Sequence, residues 1–292
     1  MKGNLRDRLL LGGAMTVFGT IGIFRRYIPL PSATVAFARS AIGALFLVIC
    51  LLLLRRRPDF CAVRANLAYL LVSGIFLGFN WVLLFEAYKY TTVAVATLSY
   101  YMAPIILVLV APLFLGERLT RKKGFCALVA LGGMVLVSGV LDVGFSGGAE
   151  LVGIALGLAA ACLYAAIIIF NKKMSGIDAM TKTLCQFAVS ATVLLPYVLL
   201  VEDVTCEMFT PLGTVLLLVV CVVHTGLAYV AYFGSVRELP SATVAIFSYI
   251  DPVLAVLLSA FFLKEPISPL GIVGAVLVLG AAFFSEYTPH RK

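Results

Sequence analysis

The stretch "SYIDPVLAVLLSAFFLKE", Ser248 to Glu265, sets an acid and a proline near one end of an apolar run. An earlier stretch, "SYYMAPIILVLVAPLFLGE", Ser99 to Glu117, has the same layout: tyrosine, then proline, then a glutamate at the far end. Pro104 and Pro252 stand 148 positions apart, and that offset also pairs Tyr101 with Tyr249, Ala94 with Ala242, Glu117 with Glu265 and Gly132 with Gly280. The chain reads as a duplication.

The solvent for which it is written follows from composition. Of 292 residues, 62% are hydrophobic and 12% charged, with a mean hydropathy of +1.10, whereas a soluble domain carries about a quarter charged residues. Apolar runs of about 20 residues each suffice to cross a hydrocarbon core as helix. Ten are expected, at 9–27, 33–54, 66–88, 92–115, 122–141, 151–170, 180–200, 212–235, 241–263 and 268–286. Breakers separate them: Pro29 and Pro31, "RRRPD" at 55–59, "FSGGAE" at 145–150 and "PISP" at 266–269. Basic residues precede the first run as in a signal peptide, but no small-residue cleavage site ends a short core, so it is read as helix one. Five helices per copy is an odd number, so the second copy enters the membrane from the other side. The expected fold is therefore an all-α membrane protein of two inverted five-helix repeats, 1–145 and 146–292, an arrangement recurrent in secondary transporters.

Charge orients the bundle. Of the 22 lysines and arginines, Arg25, Arg26, Lys89 and Lys264 fall on the side opposite the termini and Arg39 falls inside a span; the rest share a side with both termini. That asymmetry places the termini in the cytoplasm of a cell-membrane protein, and it accounts for the net charge of +8 without nucleic acid. The loop "GERLTRKK" lies inside, while its counterpart "KEPISP" lies outside and has lost the positive excess. Seven cysteines are scattered without metal or CxxC spacing and read as small packing residues; no metal and no cofactor is expected. "PSATVA" occurs at 31–36 and 240–245 outside the 148 register, and reads as shared helix-start chemistry.

The glycine-rich first helix "AMTVFGTIGIF", the arginine early in "AFARSAIGALFLV", and the paired "P…LGERL" and "DP…LKEP" helices resemble the drug/metabolite transporter superfamily, in particular its ten-helix EamA-type permeases. The resemblance covers about 9–286. It implies two inverted repeats that move small metabolites, often amino acids, outward. Phe18 stands where a tryptophan is common in that family, and Asp251 where glutamate is more usual.

A charge at the centre of a lone helix costs roughly 2.5–3.5 kcal/mol, so each one requires compensation. Arg39, Glu86, His224 and Asp251 are the four such positions. Arg39 and Glu86 fall at similar depth and could pair; alternatively, the Arg39 fork suits a substrate carboxylate. Asp251 and His224 fall near the midplane and, with Glu86, are the candidates for proton coupling; Asp251 as polar glue between helices is the competing reading. Pro104 and Pro252 remove backbone donors and are expected helix breaks. The 148 offset carries Arg39 onto Phe187, and Gln186 beside it is read as the functional partner if a loop gap is allowed. Asn80, Trp81, Tyr101, Tyr229 and Tyr249 complete the expected cavity, with the offset pairing Trp81 with Tyr229. "GIFLG" at 74–78 and "GIALG" at 153–157 read as packing surfaces.

The expected partners are a small-molecule substrate and the bilayer; one chain contains both halves, so a monomer suffices. No HExxH, Walker or paired-aspartate motif supports the alternative of an intramembrane enzyme, and a passive facilitator differs only in its response to a gradient. Labelling from each face of intact cells should find 118–123 and 264–268 on opposite sides. Finding both in one compartment would refute the inverted arrangement.

Overall fold

Hydrocarbon offers the backbone no hydrogen-bond partner, so apolar runs must coil on themselves, and each regular element among the described residues is helical. The computed structural model describes residues 5–115, 121–137, 148–236, 250–264 and 268–286. Its first part comprises α1 (Leu5–Arg26), α2 (Ser32–Leu53), a short α3 (Phe60–Ala65), α4 (Leu67–Tyr90), α5 (Val93–Tyr100), α6 (Ala103–Leu115) and α7 (Arg121–Val137). The second comprises α8 (Gly148–Lys173), α9 (Ala179–Val201), α10 (Pro211–Val219), a π-helical stretch (Val220–Leu227), α11 (Ala228–Val236), α12 (Ile250–Phe262) and α13 (Pro269–Glu286).

Six of the described helices are long and apolar enough to cross a membrane. Their surface is inside out relative to a soluble protein. Leu52, Leu113 and Leu200 are 71%, 81% and 83% exposed, while Ser40, Asn80 and Ser190 are wholly buried. Large exposed apolar surface on this scale is tolerated only against lipid or a partner, and with the helix lengths it identifies an all-helical membrane protein.

The expected span 92–115 is two helices, α5 and α6, joined through Tyr101 and Met102. Pro104 is the second residue of α6, where a missing N–H costs nothing because first-turn donors have no partner in the helix. The Tyr101 amide still reaches the Thr97 carbonyl at 2.9 Å, so the chain bends without leaving the bundle. Pro252 is the third residue of α12. The residues before Ile250, and with them the second "PSATVA", lie outside the described set.

The first "PSATVA" is capped by another means than sequence chemistry suggests. Pro31 precedes α2 without any side-chain cap; instead the Glu202 carboxylate, just beyond α9, accepts from the Ala33 amide at 3.2 Å and from the Thr34 hydroxyl. An acid at a helix N-terminus also meets the favourable end of the helix dipole. By contrast α9 is capped by its own neighbour, Asp178, which accepts from Met180 and Thr181.

Packing interleaves the two parts of the chain. Helix α4 lies against α8 and α9, α2 against α9 and the π stretch, α1 against α11 and α12, and α7 against α13. Small residues set the closest approaches. A Cβ at Gly78 would sit 2.7 Å from Ser190 Oγ and 3.2 Å from Leu194, and one at Gly226 would sit 2.6 Å from the Phe46 ring. The second small-residue motif behaves alike: Gly153 abuts Thr91, and Gly157 abuts Ser99 and the Ala96 carbonyl. Ser40 and Ser190 share a buried hydrogen bond of 2.7 Å across the α2–α9 contact.

Gly226→Leu should therefore lower the melting temperature in detergent, since overpacking a tight contact costs roughly 1–3 kcal/mol. Gly13→Ala, with nothing within 4 Å of the added methyl, should leave it unchanged or raise it. Equal melting temperatures for the two variants would contradict this packing.

Candidate functional site

A cavity of about 340 Å³ opens where α1, α2, α4, α5, α8, α11 and α12 converge. Its walls are largely aromatic: Phe18 from α1, Trp81 and Tyr88 from α4, Tyr100 and Tyr101 at the α5–α6 bend, Tyr164 from α8, and Tyr229 and Tyr232 from α11. Edge-to-face contacts hold several rings in place, Phe18 on Tyr229 at 5.4 Å and on Tyr232 at 6.4 Å, and Tyr100 lies 5.5 Å from Tyr164. Two ionisable side chains interrupt this wall: Arg39 and Asp251.

Arg39 is 4% exposed. Its guanidinium lies 4.0 Å from the Trp81 ring centroid and 5.4 Å from that of Phe85, a cation–π arrangement that strengthens as water is excluded. Nε donates to Thr225 Oγ1 at 3.0 Å. The helix is widened at that point: the Thr225 hydroxyl donates five residues back, to the Val220 carbonyl at 3.0 Å, within the π-helical stretch. Such bulges rotate a helix face and recur at functional sites. Here the bulge aims Thr225 at Arg39.

Asp251 lies in the first turn of α12, half-buried, with the Tyr101 hydroxyl in hydrogen-bonding reach. Gly19 makes that position possible. A Cβ there would lie 2.8 Å from the Asp251 carbonyl oxygen and 2.9 Å from Leu254 Cβ, so α1 and α12 close on each other only over glycine. The cavity thus has a fixed cation on α2, an acid on α12, and hydroxyls between them. A zwitterion or an amphipathic acid fits such a chemistry better than a purely apolar ligand does.

Of the residues expected from sequence, Arg39, Trp81, Tyr101, Tyr229 and Asp251 line this one cavity. Others are held elsewhere. Asn80 is wholly buried and donates to the Ala160 carbonyl at 2.6 Å, fastening α4 to α8. Gln186 turns to Ser73 and Asn171, each at 2.8 Å. His224 binds Thr20 Oγ1 at 2.9 Å and packs edge-on against Phe24 at 4.8 Å, behind the cavity wall. Glu86 pairs with Lys89 at 2.8 Å, one turn along its own helix, and not with Arg39. Tyr249 lies outside the described residues.

The offset partner of Arg39 proves to be geometrically apt without any gap: Phe187 packs on Tyr229 at 5.5 Å, as Arg39 packs on Trp81. Trp81 and Phe187 also meet directly, at 5.6 Å. Sequence reasoning missed Thr225, Tyr88 and Tyr164 as part of this set, though Tyr100 is legible beside Tyr101 just before Pro104. A helical period would have found two of them, since Thr225 is one turn from Tyr229 and Tyr88 is two turns from Trp81.

Comparison with known proteins agrees with this architecture. The family described as the EamA-like transporter family matches residues 8–139 and again residues 151–287. An uncharacterized transporter, YxxF, of Bacillus subtilis (strain 168) is 28% identical over 257 residues, covering 85% of this chain and 79% of that protein. The pseudopaline exporter CntI of Pseudomonas aeruginosa (strain UCBPP-PA14) is 33% identical over 108 residues, 37% of each chain. One crystal structure superposes with a TM-score of 0.65 over 95% of both chains at 18% identity, a likeness of fold.

Trp81 is the single tryptophan of the chain, so indole fluorescence reports on this cavity alone. Arg39→Gln should shift its emission in detergent, because a charge 4.0 Å from the ring is removed. An unchanged spectrum would contradict the stacking.

Proposed function

We propose that this chain, which belongs to the EamA-like transporter family and is a membrane transporter rather than an enzyme, carries small zwitterionic metabolites such as amino acids outward by alternating access. One observation carries the reading: Arg39 and Asp251, opposite in charge, share one aromatic cavity to which both parts of the chain contribute. Arg39 would hold the substrate carboxylate through its fork, the tyrosine and tryptophan faces would bind the apolar body, and Asp251 would take the ammonium or a proton. A volume of about 340 Å³ is at the lower end of the roughly 300–1,000 Å³ of small-molecule sites. That favours single metabolites over larger conjugates.

The inverted-repeat reading, with halves 1–145 and 146–292 and ten spans, rests on three supports. The family matches twice, once in each half. Contacts come in pairs related by the 148 offset: Gly78 against Leu194 answers Gly226 against Phe46, and Arg39 on Trp81 answers Phe187 on Tyr229. Helix contacts pair likewise, α4 with α8 answering α11 with α1, and α9 with α4 answering α2 with the π stretch. Rocking one half against the other would expose the shared cavity to each side in turn. The excess of lysine and arginine beside the termini supports a cytoplasmic N- and C-terminus in the cell membrane.

Asp251 is the better candidate for proton coupling than His224, because it faces the cavity while the imidazole is 2% exposed and committed to Thr20. The test uses purified protein in liposomes loaded with the common amino acids, with the medium followed by mass spectrometry. Wild type should release a subset of them faster under a proton gradient. Arg39→Gln should weaken binding roughly ten- to a hundredfold, the worth of a charged hydrogen-bond pair. Asp251→Asn should abolish the gradient response while retaining exchange. Wild-type release indifferent to the gradient identifies a facilitator; release of no amino acid overturns the substrate class.

A further inference from the structure

A second cavity, of about 390 Å³, lies at the α1–α2 connection, and it is basic. Arg25, Arg26 and Lys89 line it, together with Pro29, Phe85 and Tyr88. Two of these cations are committed elsewhere: Lys89 to Glu86 at 2.8 Å, and Arg26 to the Tyr88 carbonyl at 2.7 Å. Arg25 is different. It is 6% exposed, and its two terminal nitrogens are fixed by the Ile28 carbonyl at 2.8 Å and Ser32 Oγ at 3.1 Å. Its Nε is buried without any acceptor. Among the described residues no carboxylate lies within ion-pair distance of it; of the nearby acids, Glu86 pairs with Lys89 and accepts from the Ser32 hydroxyl, and Glu202 caps α2. A rigid cation with one donor unanswered, beside a basic cavity, has capacity left for an anion.

The partition between this cavity and the central one is thin. Tyr88 lines both. Phe85, fully buried, has the Arg39 guanidinium 5.4 Å from its ring centroid and that of Arg25 at 5.7 Å. The two guanidiniums are thus separated by little more than one aromatic ring.

We propose that Arg25 is a second carboxylate-binding group, at the outer mouth, and that the anionic end of the substrate passes to it from Arg39 across the Phe85–Tyr88 partition. This rests on the transport reading above and adds its exit step. A charged group leaving Arg39 for water would otherwise be stripped of partners while it crosses an apolar ring. A second cation within reach lowers that barrier, as paired sites do along ion pathways. The site holds carboxylate by the charge of Arg25, and the apolar walls at Pro29 and Phe85 accept the rest of the molecule as the partition opens.

Because Trp81 reports only on the central cavity, binding there and release through the mouth can be read separately on the same full-length protein. The probes are a mixture of the common amino acids other than tryptophan, and inorganic sulfate, which the bilayer excludes. Arg25→Gln should leave the Trp81 titration midpoint within about twofold of wild type but slow efflux from liposomes about tenfold, the pattern of a lost transition-stage contact. Sulfate added outside should slow wild-type efflux and not that of Arg25→Gln. Ser32→Ala removes a hydroxyl that holds Arg25 but keeps the cation, and it should retain efflux and sulfate sensitivity. Unchanged efflux in Arg25→Gln, a loss shared equally by Ser32→Ala, or wild-type efflux indifferent to sulfate would each overturn the exit site while leaving the central site standing. A wild-type Trp81 emission that ignores the amino acids would instead overturn the transport reading, and the exit site with it.

Discussion

Burying a guanidinium among helices that face hydrocarbon costs several kcal/mol unless its charge is answered. At Arg39 the answer is partial: an indole face at 4.0 Å, a phenyl ring at 5.4 Å and one threonine hydroxyl at 3.0 Å. No carboxylate of the described residues is paired with it. The bundle is arranged to tolerate that deficit. Thr225 reaches the cation only because the helix widens into a π turn around it, and Gly43 lets α2 lie close enough, since a Cβ there would be 2.8 Å from Thr225 Cγ2. An incompletely answered charge in a cavity is a site with affinity to spare for a ligand of opposite sign.

The same constraint accounts for the polar anchors that do not touch the cavity. Asn80, Gln186, Ser40 and Ser190 make interhelical hydrogen bonds in the interior, where each polar group needs a partner and each bond contributes modestly, by about 0.6 kcal/mol on average between membrane helices. Together they set the register of α2, α4, α8 and α9, the helices that carry Arg39, Trp81 and Tyr164. Positioning of the site and stability of the bundle are therefore one property. At the α1–α2 end, Glu202 ties the start of α2 to the end of α9, so that this end of the bundle is bridged between the two parts of the chain.

Much of this was legible before any coordinates. Composition settled the solvent, the apolar runs gave the six described spanning helices to within a few residues, and a proline at 104 forecast the bend at Tyr101–Met102. Five cavity residues were identified from their cost in a membrane or from the 148 offset. The misses have a common cause. Asn80, Gln186, His224 and Glu86 are polar residues in apolar runs just as Arg39 and Asp251 are, and a linear pattern does not state which side of a helix faces a neighbour and which faces a space. The trans cap by Glu202 was invisible for a related reason: its donors lie more than a hundred positions away.

What the sequence by itself determined is the medium, the helical class and the family of this chain, because hydropathy and duplication are properties of the order of residues. What only the tertiary structure decided is which buried polar groups are satisfied by the protein and which are left facing a cavity. That depends on a few tenths of an ångström at glycines such as Gly19 and Gly226, and on a single π turn, neither of which changes the hydrophobic pattern.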